Sequence, residues 1–162
     1  MKSSEHLEKI RASFSQQAQE FENPNMNFSK QEYLTHSIHA MAPRPQDEAL
    51  EVACGTAICS RTLSPLVKSV TCLDATPAML EIGRQEAQKQ GLGNLTFVQG
   101  EAEQLPFSNW SFDLVFSRLA MHHFVQIRPP FQEMVRVLRP GGRLAVLDMQ
   151  AASEPLREIE DH

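Results

Sequence analysis

The run Ala49-Leu50-Glu51-Val52-Ala53-Cys54-Gly55-Thr56-Ala57-Ile58-Cys59-Ser60, followed about twenty residues later by Asp74, constrains the fold more than any other part of the sequence. A short apolar stretch carrying a carboxylate, then small residues, then a helical pattern is the opening of a βαβ unit that holds a ligand at the carboxyl end of its strand. Asp47 to Val52 reads as a buried strand. Residues Ala53 to Ala57 have little bulk, so the backbone there can approach a ligand closely, and Gly55 is free to take a positive φ. From Ile58 through Val67 the chain reads as a modest helix.

The second strand, Ser69 to Asp74, ends in an acid at the spacing at which α/β folds place a carboxylate on a nucleotide ribose. Asp74 also precedes Thr76 and Pro77, a common helix start, so it could serve as a helix cap instead, with Thr76 the better cap of the two. The ribose and cap readings are compatible. Pro77 to Gln90 then reads as an amphipathic helix ended by Gly91 and Gly93. Leu95 to Val98 forms a third strand, Ser111 to Ser117 a fourth, Pro129 to Leu138 a helix, and Arg143 to Met149 a fifth strand entered through the turn Pro140-Gly141-Gly142. Strands that alternate with helices imply a parallel sheet with right-handed crossovers and the order 3-2-1-4-5.

Five motifs occur in succession: Glu51-x-x-x-Gly55; Leu73-Asp74-Ala75-Thr76-Pro77-Ala78-Met79-Leu80; Gly100-Glu101-Ala102-Glu103-Gln104-Leu105-Pro106-Phe107; Phe112-Asp113-Leu114-Val115; and Arg136-Val137-Leu138-Arg139-Pro140-Gly141-Gly142. In this order they resemble the motifs of class I S-adenosylmethionine-dependent methyltransferases, and most closely the branch that methylates small molecules, including quinone precursors. Arg118 to Phe124 resembles a stretch found in some of its members. The likeness runs from about Phe14 to Met149.

That resemblance implies a doubly wound, Rossmann-like α/β fold and S-adenosylmethionine as cofactor. Glu51, Ala53 and Gly55 would hold its amino acid end, Asp74 the ribose, and Ala75, Met79, Glu101 and Ala102 the adenine, with Ser117 near the methionine. The acceptor would be a small molecule, and His122 the general base where the acceptor must lose a proton, because imidazole titrates near neutrality. His122 and His123 could equally pack against or cap the next helix. In two places the chain departs from the pattern, which has glycine where Ala53 and Ala57 stand. Each added methyl takes room and φ freedom, so reduced cofactor affinity is expected at Ala57 in particular.

The domain division follows from these signals: a helical arm or lid over 1–45, a cofactor-binding core over 46–150, and a polar acidic tail over 151–162. In the arm, Leu7, Ile10, Phe14, Ala18 and Phe21 make one apolar stripe. A second helix is expected from an N-cap at Ser29 through Tyr33, Leu34, Ile38 and Met41 to the break at Pro43. His36 and His39 lie three apart on it without the partner set a metal site needs, so they read as surface histidines.

The resembling family adds a sixth parallel and a seventh antiparallel strand that this sequence does not display. Strand 143–149 would then be an open edge, which implies a truncated chain or a homodimer that buries it.

Composition narrows the class. A net charge of -5 with few basic clusters argues against a nucleic-acid partner. No run of 18 apolar residues suggests a membrane span, and no basic-then-apolar leader suggests secretion. The three cysteines lack zinc-type spacing and fit reduced thiols in a cytoplasmic protein. Two rival readings remain. A nicotinamide dehydrogenase would need Gly-x-Gly-x-x-Gly, and this loop holds only Gly55. A non-catalytic module that binds S-adenosylmethionine or a partner is the alternative that Ala57 and the chain's length favour.

Overall fold

Alternating residues of the strands bury on opposite faces, and this sorts the core into two layers. The structure is a computed structural model that describes residues 28–118 and 128–147. In chain order it contains α1 (Phe28–Ala40), β1 (Glu48–Val52), α2 (Ile58–Leu63), a 3-10 turn (Ser64–Leu66), β2 (Ser69–Asp74), α3 (Pro77–Lys89), β3 (Leu95–Gln99), β4 (Phe112–Arg118), α4 (Arg128–Val137) and β5 (Leu138–Leu147). Every strand pair is parallel, and the order is β3-β2-β1-β4-β5.

On one face Ala49, Val70, Cys72, Leu114 and Phe116 pack with Leu34, Ile38 and Met41 from α1 and its end, Cys59 and Leu63 of α2, and Leu80 of α3. On the other face Leu50, Val52, Leu73 and Val115 pack with Ala102 and Leu105 of the loop after β3 and with Met134 and Val137 of α4. Helices therefore cover both faces, and the central strands β1 and β4 are buried nearly throughout.

The sheet order is the one read from the sequence, but several boundaries differ. Ser29 lies inside α1 and is not its cap, because the helix already begins at Phe28. The helix after the small-residue loop stops at Leu63, where Pro65 forces a 3-10 turn. The Pro140-Gly141-Gly142 segment is not a turn between α4 and β5. The strand starts at Leu138, which pairs with Phe112, and an irregularity then brings Arg143 opposite Leu114. Gly142 makes this possible, since a Cβ there would lie 2.7 Å from the Asp113 carbonyl. The first helix of the arm, residues 148–149 of the expected edge strand and the tail 151–162 lie outside the described residues.

Charged pairs close the amino edge of the sheet. Asp113 accepts the Glu48 N–H at 2.8 Å and Arg139 Nη1 at 3.0 Å, and Arg139 Nη2 reaches Glu48 at 3.1 Å. Burial pulls the Asp113 carboxyl upward, but the Glu48 amide and Arg139 outweigh it and hold the group below the usual range. Arg143 pairs with Asp47, whose carboxylate also accepts the Arg44 N–H at 2.8 Å. The opposite, carboxyl edge has a different character.

Candidate cofactor-binding site

The order 3-2-1-4-5 reverses direction between β1 and β4, and in such sheets the crevice outside the carboxyl ends at that point receives the ligand. The loop after β1 borders it. Its backbone alternates, with Ala53 at φ 58°, Gly55 at φ 59° and Ala57 at φ 64°. Three left-handed residues in five make a tight ribbon, held by Ala57 N–H to the Cys54 carbonyl at 2.9 Å and by Cys54 N–H to the Leu73 carbonyl at 2.9 Å. Glycine adopts this conformation without cost, whereas alanine pays about 1–2 kcal/mol. The sequence reading singled out the two alanines for the room and φ freedom their methyl groups remove, and both are held in the left-handed region.

Asp74 ends β2 beside this loop and is 1% exposed. Its Oδ1 accepts the Gly55 N–H at 3.0 Å and its Oδ2 the Thr76 N–H at 2.9 Å. Asp74 thus braces the entry to α3 by an i to i+2 bond, while Thr76 holds the N-cap position itself. Thr76, expected to be the better cap, makes no side-chain cap bond, and its buried hydroxyl has no hydrogen-bond partner among the described residues.

Glu51 projects from β1 toward α2, where Ser60 Oγ donates to its Oε1 at 2.6 Å. It is 1% exposed, and burial pushes its carboxyl up to about 7. The positive charge of Arg118, at the end of β4, and the Ser60 hydrogen bonds pull the other way, while nearby Asp74 adds to the rise. Ser117, fully buried, donates its hydroxyl to the Val52 carbonyl at 2.8 Å and so ties the ends of β1 and β4 together. Ser60 and Arg118 were not assigned a site role by the sequence reading. The signals for Arg118 were its place directly after Ser117, at the end of a strand, and the resemblance of the stretch Arg118 to Phe124 to one found in some family members.

The remaining candidate residues lie on the loops after β2 and β3 and on α3. Ala75 is half-buried, Met79 on α3 is buried, and Ala102 is buried in the tight turn after β3, where Gln104 N–H reaches the Glu101 carbonyl at 3.2 Å. Glu101 is exposed. His122 lies outside the described residues, as does the rest of 119–127. His36 and His39 are both exposed on α1.

One residue that sequence reasoning missed is Gly83, in the middle of α3. A Cβ there would stand 2.7 Å from the Thr56 carbonyl oxygen and 3.0 Å from the Phe97 ring. Helix and loop therefore meet backbone to backbone, and Arg61 Nε fixes the same Thr56 carbonyl at 3.2 Å. The thiols of Cys54 and Cys59 are buried, and burial pushes both well above the usual thiol range, so neither is a nucleophile at neutral pH.

These features fit a nucleoside cofactor. A buried carboxylate stands beside a ribbon whose Gly55 has open space where a Cβ would be, and an unpartnered hydroxyl sits two residues away.

A parallel sheet of this order, with a small-residue loop after β1 and a buried acid after β2, is the Rossmann-like arrangement of nucleoside-cofactor folds, and the family match places this one among the class I S-adenosylmethionine-dependent methyltransferases. The chain belongs to the methyltransferase-domain family, which it matches over residues 50–146, and S-adenosylmethionine is its cofactor. It is 34% identical over 150 residues to the uncharacterized methyltransferase YcgJ of Bacillus subtilis, covering 92% of this chain and 59% of that protein. The crystal structure of YcgJ superposes with a TM-score of 0.69 at 36% identity, over 71% of this chain and 49% of that one. The ubiquinone/menaquinone biosynthesis C-methyltransferase UbiE of Hahella chejuensis is 38% identical over 124 residues, which are 74% of this chain and 50% of UbiE. The chain thus spans between half and three fifths of the length of these curated relatives.

Proposed function

We propose that this domain transfers the methyl group of S-adenosylmethionine to a small-molecule acceptor. The reading is carried by the buried Asp74 carboxylate, hydrogen-bonded to Gly55 N–H beside the crevice at the carboxyl ends of the strands. When bound, the cofactor supplies a methyl group already activated on a positive sulfur, so the protein's task is alignment and exclusion of water.

In this reading Asp74 accepts the ribose hydroxyls, and Glu51, Ala53 and Gly55 bound the amino acid end. Ala75, Met79, Glu101 and Ala102 receive the adenine, and Ser117 stands at the methionine. Glu51 is suited to an ammonium group because the buried acid gains a partner cation there. His122 holds the proton that an acceptor must give up. The relatives that act in quinone biosynthesis support an acceptor of small size. The arm 1–45 serves as a lid over the core 46–150, and the segment 151–162 is an acidic tail. Among the described residues, no helix is long and apolar enough to cross a membrane.

A second reading, a module that binds the cofactor without turnover, is favoured by the strain of Ala53 and Ala57 in the left-handed region. Transfer of isotope from methyl-labelled S-adenosylmethionine into a small-molecule extract supports the first, and binding without transfer supports the second. Calorimetry with S-adenosylhomocysteine tests the site itself. Asp74→Asn, which keeps the shape and loses the charge, is expected to weaken binding by about 10- to 100-fold, the worth of charge-assisted hydrogen bonds. An unchanged affinity removes the ribose assignment.

A further inference from the structure

Residues 100–111 connect β3 to β4 without a helix of their own, yet they carry Glu101 and Ala102. What fixes them is the far end of α4. Glu133 Oε1 accepts the Leu105 N–H at 2.8 Å. Arg136 Nη1 donates to the Phe107 carbonyl at 2.8 Å and to Asn109 Oδ1 at 2.9 Å, and Nη2 donates to the Leu105 carbonyl at 3.0 Å. The two side chains also grip each other, with Arg136 Nε 2.7 Å from Glu133 Oε2 and Nη2 3.0 Å from Oε1. One helical turn separates them, so a single fork-to-fork pair presents an acceptor and two donors to the loop backbone.

The end of the helix is used in the same way. The carbonyls of Arg136 and Val137, which have no partner within α4, accept the N–H groups of Trp110 at 3.1 Å and Ser111 at 2.8 Å. Leu105, the residue held from both its N–H and its carbonyl, is buried with Met134 and Val137. The loop is thus attached to α4 at five backbone groups and buried at two side chains, Ala102 and Leu105, while its turn, 101–104, is the part that faces the crevice in the reading above.

We propose that Glu133 and Arg136 are positioning residues for the cofactor: by fastening Leu105 to Asn109, they set where the Glu101–Ala102 turn stands against the purine, and thereby the preference for a 6-amino purine. The inference rests on the assignment of that turn to the adenine. Arginine is required because a lysine ammonium cannot serve Glu133 and two carbonyls in one plane.

The test is calorimetric binding of S-adenosylhomocysteine and of S-inosylhomocysteine, in which a carbonyl oxygen replaces the 6-amino group, to the wild type, Arg136→Gln and Glu133→Gln. The wild type is expected to prefer the adenine compound by about tenfold, one hydrogen bond to a charged group. Arg136→Gln should bind it about tenfold more weakly and lose most of the preference, because the turn is no longer held at its post. Glu133→Gln, which keeps an acceptor for Leu105 N–H and is the milder change, should shift both quantities in the same direction by about half as much on a logarithmic scale. A purely structural role would weaken both compounds equally and leave the ratio alone, which overturns the inference, as would affinities unchanged in both variants. A wild type that discriminates poorly between the compounds also overturns it. A wild type that binds neither compound removes the cofactor-site reading and the inference together, whereas binding and preference retained in both variants remove the inference alone.

Discussion

Glu51→Gln isolates an acid that burial pushes up to about 7. In the native protein Glu51 titrates near 7, and in the unfolded chain near 4.5. Between those values the native state keeps a proton that the unfolded state has released, so stability is full below about pH 4.5 and falls as the pH rises through 7. At 1.36 kcal/mol for each pH unit separating the two, the loss is about 3 kcal/mol, an order-of-magnitude figure dominated by burial. Glutamine keeps an acceptor for Ser60 Oγ and cannot ionise. Urea denaturation of both proteins from pH 5 to 8 checks this, and the difference between the two curves cancels the histidines and surface acids they share. The wild type should lose about 2–3 kcal/mol more than the variant over that range, and the variant should be the more stable protein at pH 8. Parallel curves would mean that Glu51 is ionised throughout, with Arg118 outweighing burial, and the reasoning would fail.

Two backbone substitutions follow from the loop geometry. Ala53→Gly removes about 1–2 kcal/mol of left-handed strain and adds about 0.5–1 kcal/mol of chain entropy to the unfolded state, so thermal denaturation should show a net gain of about 0.5–1 kcal/mol. A lower melting temperature would contradict it. Gly83→Ala gains about 1 kcal/mol of helix propensity but drives a methyl against the Thr56 carbonyl, an atom of the backbone that cannot swing aside. A net loss of about 1–3 kcal/mol is expected, together with weaker binding of S-adenosylhomocysteine, and a stabilised variant would refute the close approach.

The sheet was legible in the sequence because each strand is a short run of apolar or β-branched residues with a small or acidic residue at its end, as in Val70 to Asp74. Its order followed from the alternation with helices. The start of β5 was not legible. Pro140-Gly141-Gly142 has turn chemistry, and only the contact of Gly142 with Asp113, across the sheet, makes it part of a strand. Asp74 could be placed beside Gly55 from spacing alone, and Thr76 does stand at the N-cap of α3 as the pattern of Asp, Thr and Pro suggests, but without the side-chain bond a cap would make. The partners of Glu51 and the attachment of Leu105 to Arg136 were hidden for a plainer reason. They join residues 9 and 31 apart through side chains, and no local periodicity marks such a meeting.

Salt and protons act on opposite rims of the same sheet. At the rim where the strands begin, Arg139 with Asp113 and Glu48 is partly open to water, so ionic strength screens it. At the rim where they end, the acid on β1 is sealed from mobile ions and responds to acidity. The stability of this molecule therefore varies along two nearly independent axes, and a buffer chosen for one rim leaves the other almost untouched.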